Sequence, residues 1–280
     1  MLLKYTISNM DLGLKNKIII VTGGSKGIGE GIVSLLAKEA AFPVIVGRNK
    51  PSIEKLIDEF KNKNLKVGHA FAELTEPKQC EIAVNKILEK YGRIDGLVNN
   101  AGINDSIGLE SGNYVEFMES IKRNLTHYYM MGHLVLPELK KNKGAIVNIS
   151  SKVADTGQGG TSGYAAANGG RNALTREWAI ELLPYGIRVN SIIVAECYTP
   201  LYEKWIKTFE NPKEKLKSIT DKIPLEQRMT TTTEIANAVA FLLSERSSHT
   251  TGQLLHVDGG YTHLDLSLIH ISEPTRLGFI

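Results

Sequence analysis

The chain has 280 residues, 42% of them hydrophobic and 22% charged, enough to bury one large α/β core or two small ones. Thirty-three Lys and Arg against thirty Asp and Glu leave a formal charge of +3, too small to point to nucleic acid or an anionic membrane, so a small-molecule partner is expected. Two cysteines, Cys80 and Cys197, make no disulfide framework, and no apolar run approaches the roughly 20 residues that span a bilayer, so a cytoplasmic location is expected.

Residues 1 to 9 precede a second methionine, Met10, and read as an optional extension. The β-branched run "KIIIVT" (17–22) predicts a buried strand, and "GIGEGIVSLLAKEA" after it places apolar residues at helical spacing. "TGGSKGIG" (22–29) joins the two. In that turn Gly23 suits positive φ, Gly27 lets the backbone approach a pyrophosphate, and Gly29 permits close helix–sheet packing. The helix N-terminus offers free N–H groups to the phosphates, with Ser25, Lys26 and Ile28 in the same turn and Lys26 adding positive field.

"PVIVG" (43–47) predicts the second strand, and at its end stands Arg48. A dinucleotide fold that prefers NAD places a carboxylate there; an arginine suits a ribose 2′-phosphate, so NADP is favoured and NAD remains open, with a solvated strand-end arginine as the alternative. A helix over 51–63 and a strand at "KVGHAF" (66–71) lead to Glu73, a candidate for the adenine edge or a surface carboxylate. After a helix over 77–91, the strand "GLVNN" (96–100) closes in "NNAG", where Asn100, Ala101 and Gly102 suit a backbone lying against a cofactor ribose.

One long helix over 113–139 carries Asn124, and the strand "AIVNIS" (145–150) ends at Ser150, Ser151 and Lys152. "TSGYAAANGG" opens a helix over 163–183 and sets Tyr164 among very small residues, with Asn168 four positions on. After the strand "IRVNSII" (187–193), residues 200–228 form a charged, aromatic-bearing insertion placed where such a sheet would carry a substrate lid. A helix over 233–244 and a strand at "LLHVDG" (254–259) complete the pattern, and 267–280, with no periodicity or cap, read as a vector-derived or disordered tail. Regular alternation predicts a single-domain α/β Rossmann fold over 10–266: a doubly wound, mostly parallel sheet of about seven strands with a small helical lid. No metal is expected.

"TGGSKGIG", "NNAG", "NISS", "GYAAA" and "VDGG", in this order and spacing, resemble the short-chain dehydrogenase/reductase family over roughly residues 12 to 265. The resemblance implies Tyr164 as general acid or base, Ser151 hydrogen-bonded to the same substrate oxygen, Asn124 holding a proton-relay water, Thr199 at the nicotinamide carboxamide, and a homotetramer. The chemistry agrees: hydride transfer at a carbonyl carbon needs proton transfer at oxygen, and a tyrosine serves in both directions once its ionisation is brought from about 10 towards working pH. The family supplies a lysine four residues beyond that tyrosine. Here Asn168 stands instead, able to hydrogen-bond a ribose hydroxyl but bringing no charge, so Asn168→Lys is expected to restore it.

Lys152 is the nearest substitute cation in sequence; a solvent-facing loop lysine is its favoured alternative reading. "SSKVADTGQGGTSGY" and "AECYTPLYEKWI" look like the sugar-oxidising members, especially L-fucose dehydrogenases, and Glu196, Gln158 and Trp205 are chemically suited to a polyol. Two readings follow: an NAD(P)-dependent oxidoreductase acting on a sugar or other small alcohol, or a catalytically weak cofactor-binding homologue in which Asn168 marks lost chemistry.

Overall fold

The structure, a computed structural model, describes residues 11–263. The first half runs β1 (Ile18–Thr22), α1 (Gly27–Lys38), β2 (Phe42–Gly47), α2 (Lys50–Asn62), β3 (Gly68–Phe71), α3 (Pro77–Tyr91) and β4 (Gly96–Asn99). The second runs α4 (Tyr114–Ile121), a π-helical turn (Lys122–Thr126), α5 (His127–Asn142), β5 (Ala145–Ser151), α6 (Ser162–Glu181), β6 (Arg188–Val194), α7 (Pro200–Ile206), α8 (Pro212–Thr220), α9 (Thr232–Leu243) and β7 (Leu254–Val257).

The strands pair in the order β3-β2-β1-β4-β5-β6-β7, every pairing parallel. A parallel sheet is buried on both faces, which is why its strands read as apolar runs rather than as alternation. Successive residues still point to opposite sides. Ile19, Val21 and Ile45 pack with Ile32 and Leu36 of α1, Phe60 of α2 and Val239 of α9. Ile18, Ile20 and Val44 pack on the other face with Val84 of α3, Met131 of α5 and Trp178 of α6. The order reverses between β1 and β4, so the carboxyl ends of those strands splay apart and leave a crevice for a ligand.

The expected elements are present, with one correction of substance. The region 113–139 is two helices joined by the π-helical turn at Lys122–Thr126. The apolar spacing stays helical through that turn, so sequence periodicity does not register it; the carbonyl of Asn124, within it, accepts from Arg171 Nε at 2.7 Å, and π-bulges are frequent at functional sites. The insertion 200–228 holds α7 and α8. The proposed extension 1–9 and tail 267–280 lie outside the described residues.

Candidate active site

The glycine-rich turn is built by the end of β1 and stitched to the end of β4. Thr22 Oγ1 accepts from the N–H groups of Asn100 at 2.9 Å and Ala101 at 3.1 Å. The Asn100 amide donates back to the Thr22 carbonyl at 2.9 Å, so "NNAG" fixes the mouth of the crevice. Gly27 takes φ +58°, and a Cβ at Gly29 would stand 2.4 Å from the Gly23 carbonyl, which excludes any larger residue there. Lys26, at the N-cap of α1, gives that helix no side-chain cap, so its first N–H groups are left for an anion.

From this turn a cavity of about 930 Å³ runs along the carboxyl ends of the strands. Its wall includes Gly23, Ser25, Lys26, Gly27, Ile28 and Gly29 of the turn, Arg48 and Glu73, Asn100, Ala101 and Gly102, and Ser151, Tyr164 and Thr199. Thr199 caps α7, accepting from the Tyr202 N–H at 3.2 Å, and its methyl lies 3.3 Å from where a Cβ of Gly27 would be. The first turn of the insertion is thereby seated beside the glycine turn.

Arg48 does not stand alone at the strand end. Its Nη1 donates to Glu73 Oε2 at 2.6 Å, which ties the candidate for the adenine edge to the candidate for the 2′-phosphate. Partial burial works to raise the Glu73 carboxyl, but hydrogen bonds from Arg48 and Thr75 outweigh it and hold the group below its usual range. Glu73 is therefore a charged competitor for Arg48.

The chemical end is assembled by adjacent strands and one helix. Ser151 ends β5, and Tyr164 lies in the first turn of α6, which packs against that strand. Asn124 and Asn168 are fully buried. The Asn124 amide oxygen accepts from the Ile103 N–H at 2.8 Å, and its carbonyl accepts from Arg171 Nε at 2.7 Å and from Nη2 as well. The Asn124 side-chain oxygen and backbone carbonyl thus both have partners within the protein. Asn168 donates to the Tyr164 carbonyl at 2.8 Å and accepts from Arg171 Nη1 at 2.9 Å, so its amide is committed to the helix and to an arginine rather than offered to a ribose.

The four substrate candidates fall outside the cavity wall. Lys152 is buried and ion-paired with Glu196, with its ammonium 3.7 Å from the centre of the Tyr261 ring, which corrects the reading of a solvent-facing loop lysine. The cause is topological. β5 and β6 pair with Ser151 opposite Val194, so the residues just past each strand end become neighbours although 44 positions separate them. Glu196 also accepts from the Tyr202 hydroxyl at 2.7 Å, and is therefore an internal acceptor rather than a free one for a polyol. Trp205 packs edge-on against Tyr202 and Phe209, at 5.2 and 5.0 Å between ring centres, and Gln158 lies on an exposed loop.

Arg171, His127 and Tyr202 also line the cavity and were not singled out from the sequence. Arg171 carried a usable signal: it stands seven residues beyond Tyr164, on the same helical face. Burial, and then the Arg171 charge, bring His127 down to about 3, so its ring is neutral at working pH. Both cysteine thiols are free, and burial raises Cys80 to about 11 and Cys197 to about 12, so neither is a nucleophile.

Residues 23–262 match the family model described as enoyl-(acyl carrier protein) reductase. A 3-oxoacyl-(acyl-carrier-protein) reductase of Thermotoga maritima is 34% identical over 88% of this chain and 98% of its own. The L-fucose dehydrogenase of Bos taurus is 33% identical over 87% of this chain and 88% of its own. The crystal structure of the Cj0485 dehydrogenase superimposes with a TM-score of 0.87 at 46% identity, covering 91% of this chain and 98% of that one. Among the described residues no helix is long and apolar enough to cross a membrane. With a cavity laid out along the switch point of an all-parallel sheet, and with dehydrogenases and reductases as its full-length relatives, the chain is an NAD(P)-dependent oxidoreductase and belongs to the short-chain dehydrogenase/reductase family.

Proposed function

We propose that the protein oxidises a sugar or similar small alcohol with NADP in preference to NAD, the favoured substrate class being an aldose such as L-fucose attacked at its anomeric carbon. One observation carries the reading: Ser151 and Tyr164 line the same cavity as the glycine turn, so a dinucleotide held by its phosphates at that turn shares the space they face. The residues at the turn fit such a ligand, with an uncapped helix N-terminus, Lys26, and a backbone that tolerates no Cβ at Gly29. The bound cofactor supplies the hydride acceptor.

The chain's own residues do the rest. The Ser151 hydroxyl holds the anomeric oxygen, and Tyr164 takes the proton from that oxygen as the C1–H pair leaves as hydride, so that the C1=O of a lactone forms. Run backwards, the same two residues hold a carbonyl oxygen and protonate it. Thr199 orders the start of α7 against the glycine turn and is our candidate for the carboxamide contact. Arg48 is assigned to the 2′-phosphate, with Glu73 as the partner that must yield it.

The aldose class rests on the L-fucose dehydrogenase relative, and the Thermotoga reductase supports a second class, a 3-oxoacyl thioester. A panel of aldoses and an acetoacetyl thioester, each with NADP(H) and NAD(H), separates them. Turnover of an aldose with NADP is the expected result; turnover of the thioester alone moves the assignment to acyl reduction. Binding of NADP with turnover of neither returns the reading to a cofactor-binding homologue.

A further inference from the structure

Tyr164, Asn168 and Arg171 occupy positions i, i+4 and i+7 of α6, one face of one helix. Long side chains on a helix lean back towards its N-terminus, so a cation rooted at 171 reaches over the short Asn168 towards Tyr164. The guanidinium carbon lies 6.0 Å from the centre of the Tyr164 ring. Gly102 makes room for it: a Cβ there would stand 2.7 Å from Arg171 Nη2.

Arg171 is 3% exposed, and its partners are the carbonyls of Asn124 and Ile149 and the Asn168 amide oxygen, none of them a carboxylate. Among the described residues it makes no ion pair. A buried charge without a counter-charge is costly and persists where oriented dipoles and rings solvate it; here three oxygens and the Tyr128 ring, 4.3 Å from the guanidinium carbon, do so.

The other charges packed around α6 are compensated or turned away. Arg123, within the π-helical turn, pairs with Asp105 at 3.8 Å, and Lys152 pairs with Glu196. Glu116 and Glu119 of α4 face solvent, β5 carries no charged side chain, and Arg188 of β6 is held by carbonyls at the C-terminal end of α9. His127 is neutral, and the Tyr128 hydroxyl, donated to the Ile149 carbonyl at 2.8 Å, is pushed upward by burial. The charge that Tyr164 faces is that of Arg171.

We propose that Arg171 is the positioning residue that favours the anionic form of Tyr164 during proton transfer, its guanidinium occupying the space that a lysine at position 168 would have used. This rests on the reading of Tyr164 as the proton-transfer residue. A net cation in a water-poor site favours a nearby anion far more than it would in bulk water, and Asn168 serves by holding the guanidinium and the Tyr164 turn together.

The test is an ultraviolet difference titration of the full chain, wild type minus Tyr164→Phe, which isolates one tyrosine without needing a substrate. In Arg171→Met the midpoint is expected to move up by at least about one pH unit, a tenfold change in the ionisation equilibrium, while Arg171→Lys restores most of it. Asn168→Lys/Arg171→Met, which returns a cation from the other position, is expected to titrate near wild type. That variant and Arg171→Lys also carry the test should Arg171→Met fail to fold, because a midpoint that does not follow the cation overturns the proposal. In NADP-dependent turnover, Arg171→Met should lower kcat at neutral pH by roughly 10- to 100-fold, recover in alkali and leave KM for NADP within about threefold. A folded Arg171→Met with the wild-type midpoint overturns the inference; an active Tyr164→Phe instead overturns the proton-transfer role beneath it.

Discussion

At the scale of single residues, the site is decided by which charges find partners. Arg48 is held by a carboxylate it must release to take a phosphate, so Glu73→Gln should tighten NADP and leave NAD nearly unchanged in a fluorescence titration. Arg48→Asp should do the reverse. A charge-assisted contact is worth about 1.5 to 3 kcal/mol, so KM for NADP should rise by one to two decades with KM for NAD flat or lower. Equal losses for both cofactors would make Arg48 a structural residue. The same logic reverses the expectation for Asn168→Lys: with the Arg171 guanidinium 2.9 Å from the Asn168 oxygen, an added lysine buries two like charges together. That single variant should melt lower than wild type, and the double variant with Arg171→Met should recover the loss.

Elements show how far the sequence carries and where it stops. Strand and helix alternation and the glycine turn were legible because each depends on residues close in sequence. "NNAG" was legible as a run of small residues and amides, although its bonds reach Thr22, 78 positions from Asn100. The π-helical turn was hidden because it keeps an apolar helical rhythm, and the Lys152–Glu196 pair because it exists only once β5 and β6 lie side by side. Arg171 was in plain view on the Tyr164 face, but its burial depends on Gly102 and on the Asn124 carbonyl, both from other elements.

Local signals also govern α9, whose capping box joins Thr231 and Glu234, with Arg228 closing on Glu234 at 2.7 Å. Hydrogen bonds from Arg228 and then Thr231 bring the Glu234 carboxyl from 4.5 down to about 2. A carboxyl depressed in the folded state adds stability that is present above its unfolded value and is lost as pH falls through the folded one. The difference in melting temperature between wild type and Glu234→Gln should therefore be largest near neutrality and close as pH drops from about 4.5 towards 2. Thr231→Ala should cost about 1 kcal/mol through the lost cap, read by urea denaturation. A gap that stays constant down to the lowest pH would show that Glu234 acts by packing alone.

For the whole molecule, the two faces of the sheet are not finished alike. The helices on the side of α4, α5 and α6 leave Tyr114 78%, Val115 66%, Tyr129 56% and Ile180 70% exposed. Large apolar groups gathered on neighbouring helices are the usual mark of a surface meant to be covered, and in a homo-oligomer a two-fold axis covers the patch with its own copy. We therefore expect these helices to pair between subunits, two such contacts giving a tetramer. Sedimentation at micromolar concentration should show a species of four chains, and Tyr114→Glu combined with Ile180→Glu should split it into smaller ones. The substituted side chains lie outside the cavity wall, so NADP binding should survive dissociation. A wild type that sediments as a monomer would leave the exposed patch without this explanation, whereas a dimer would keep one of the two contacts. Loss of NADP binding on splitting would mean that assembly also holds the α6 end of the cavity, where Tyr164 and Arg171 stand, in shape.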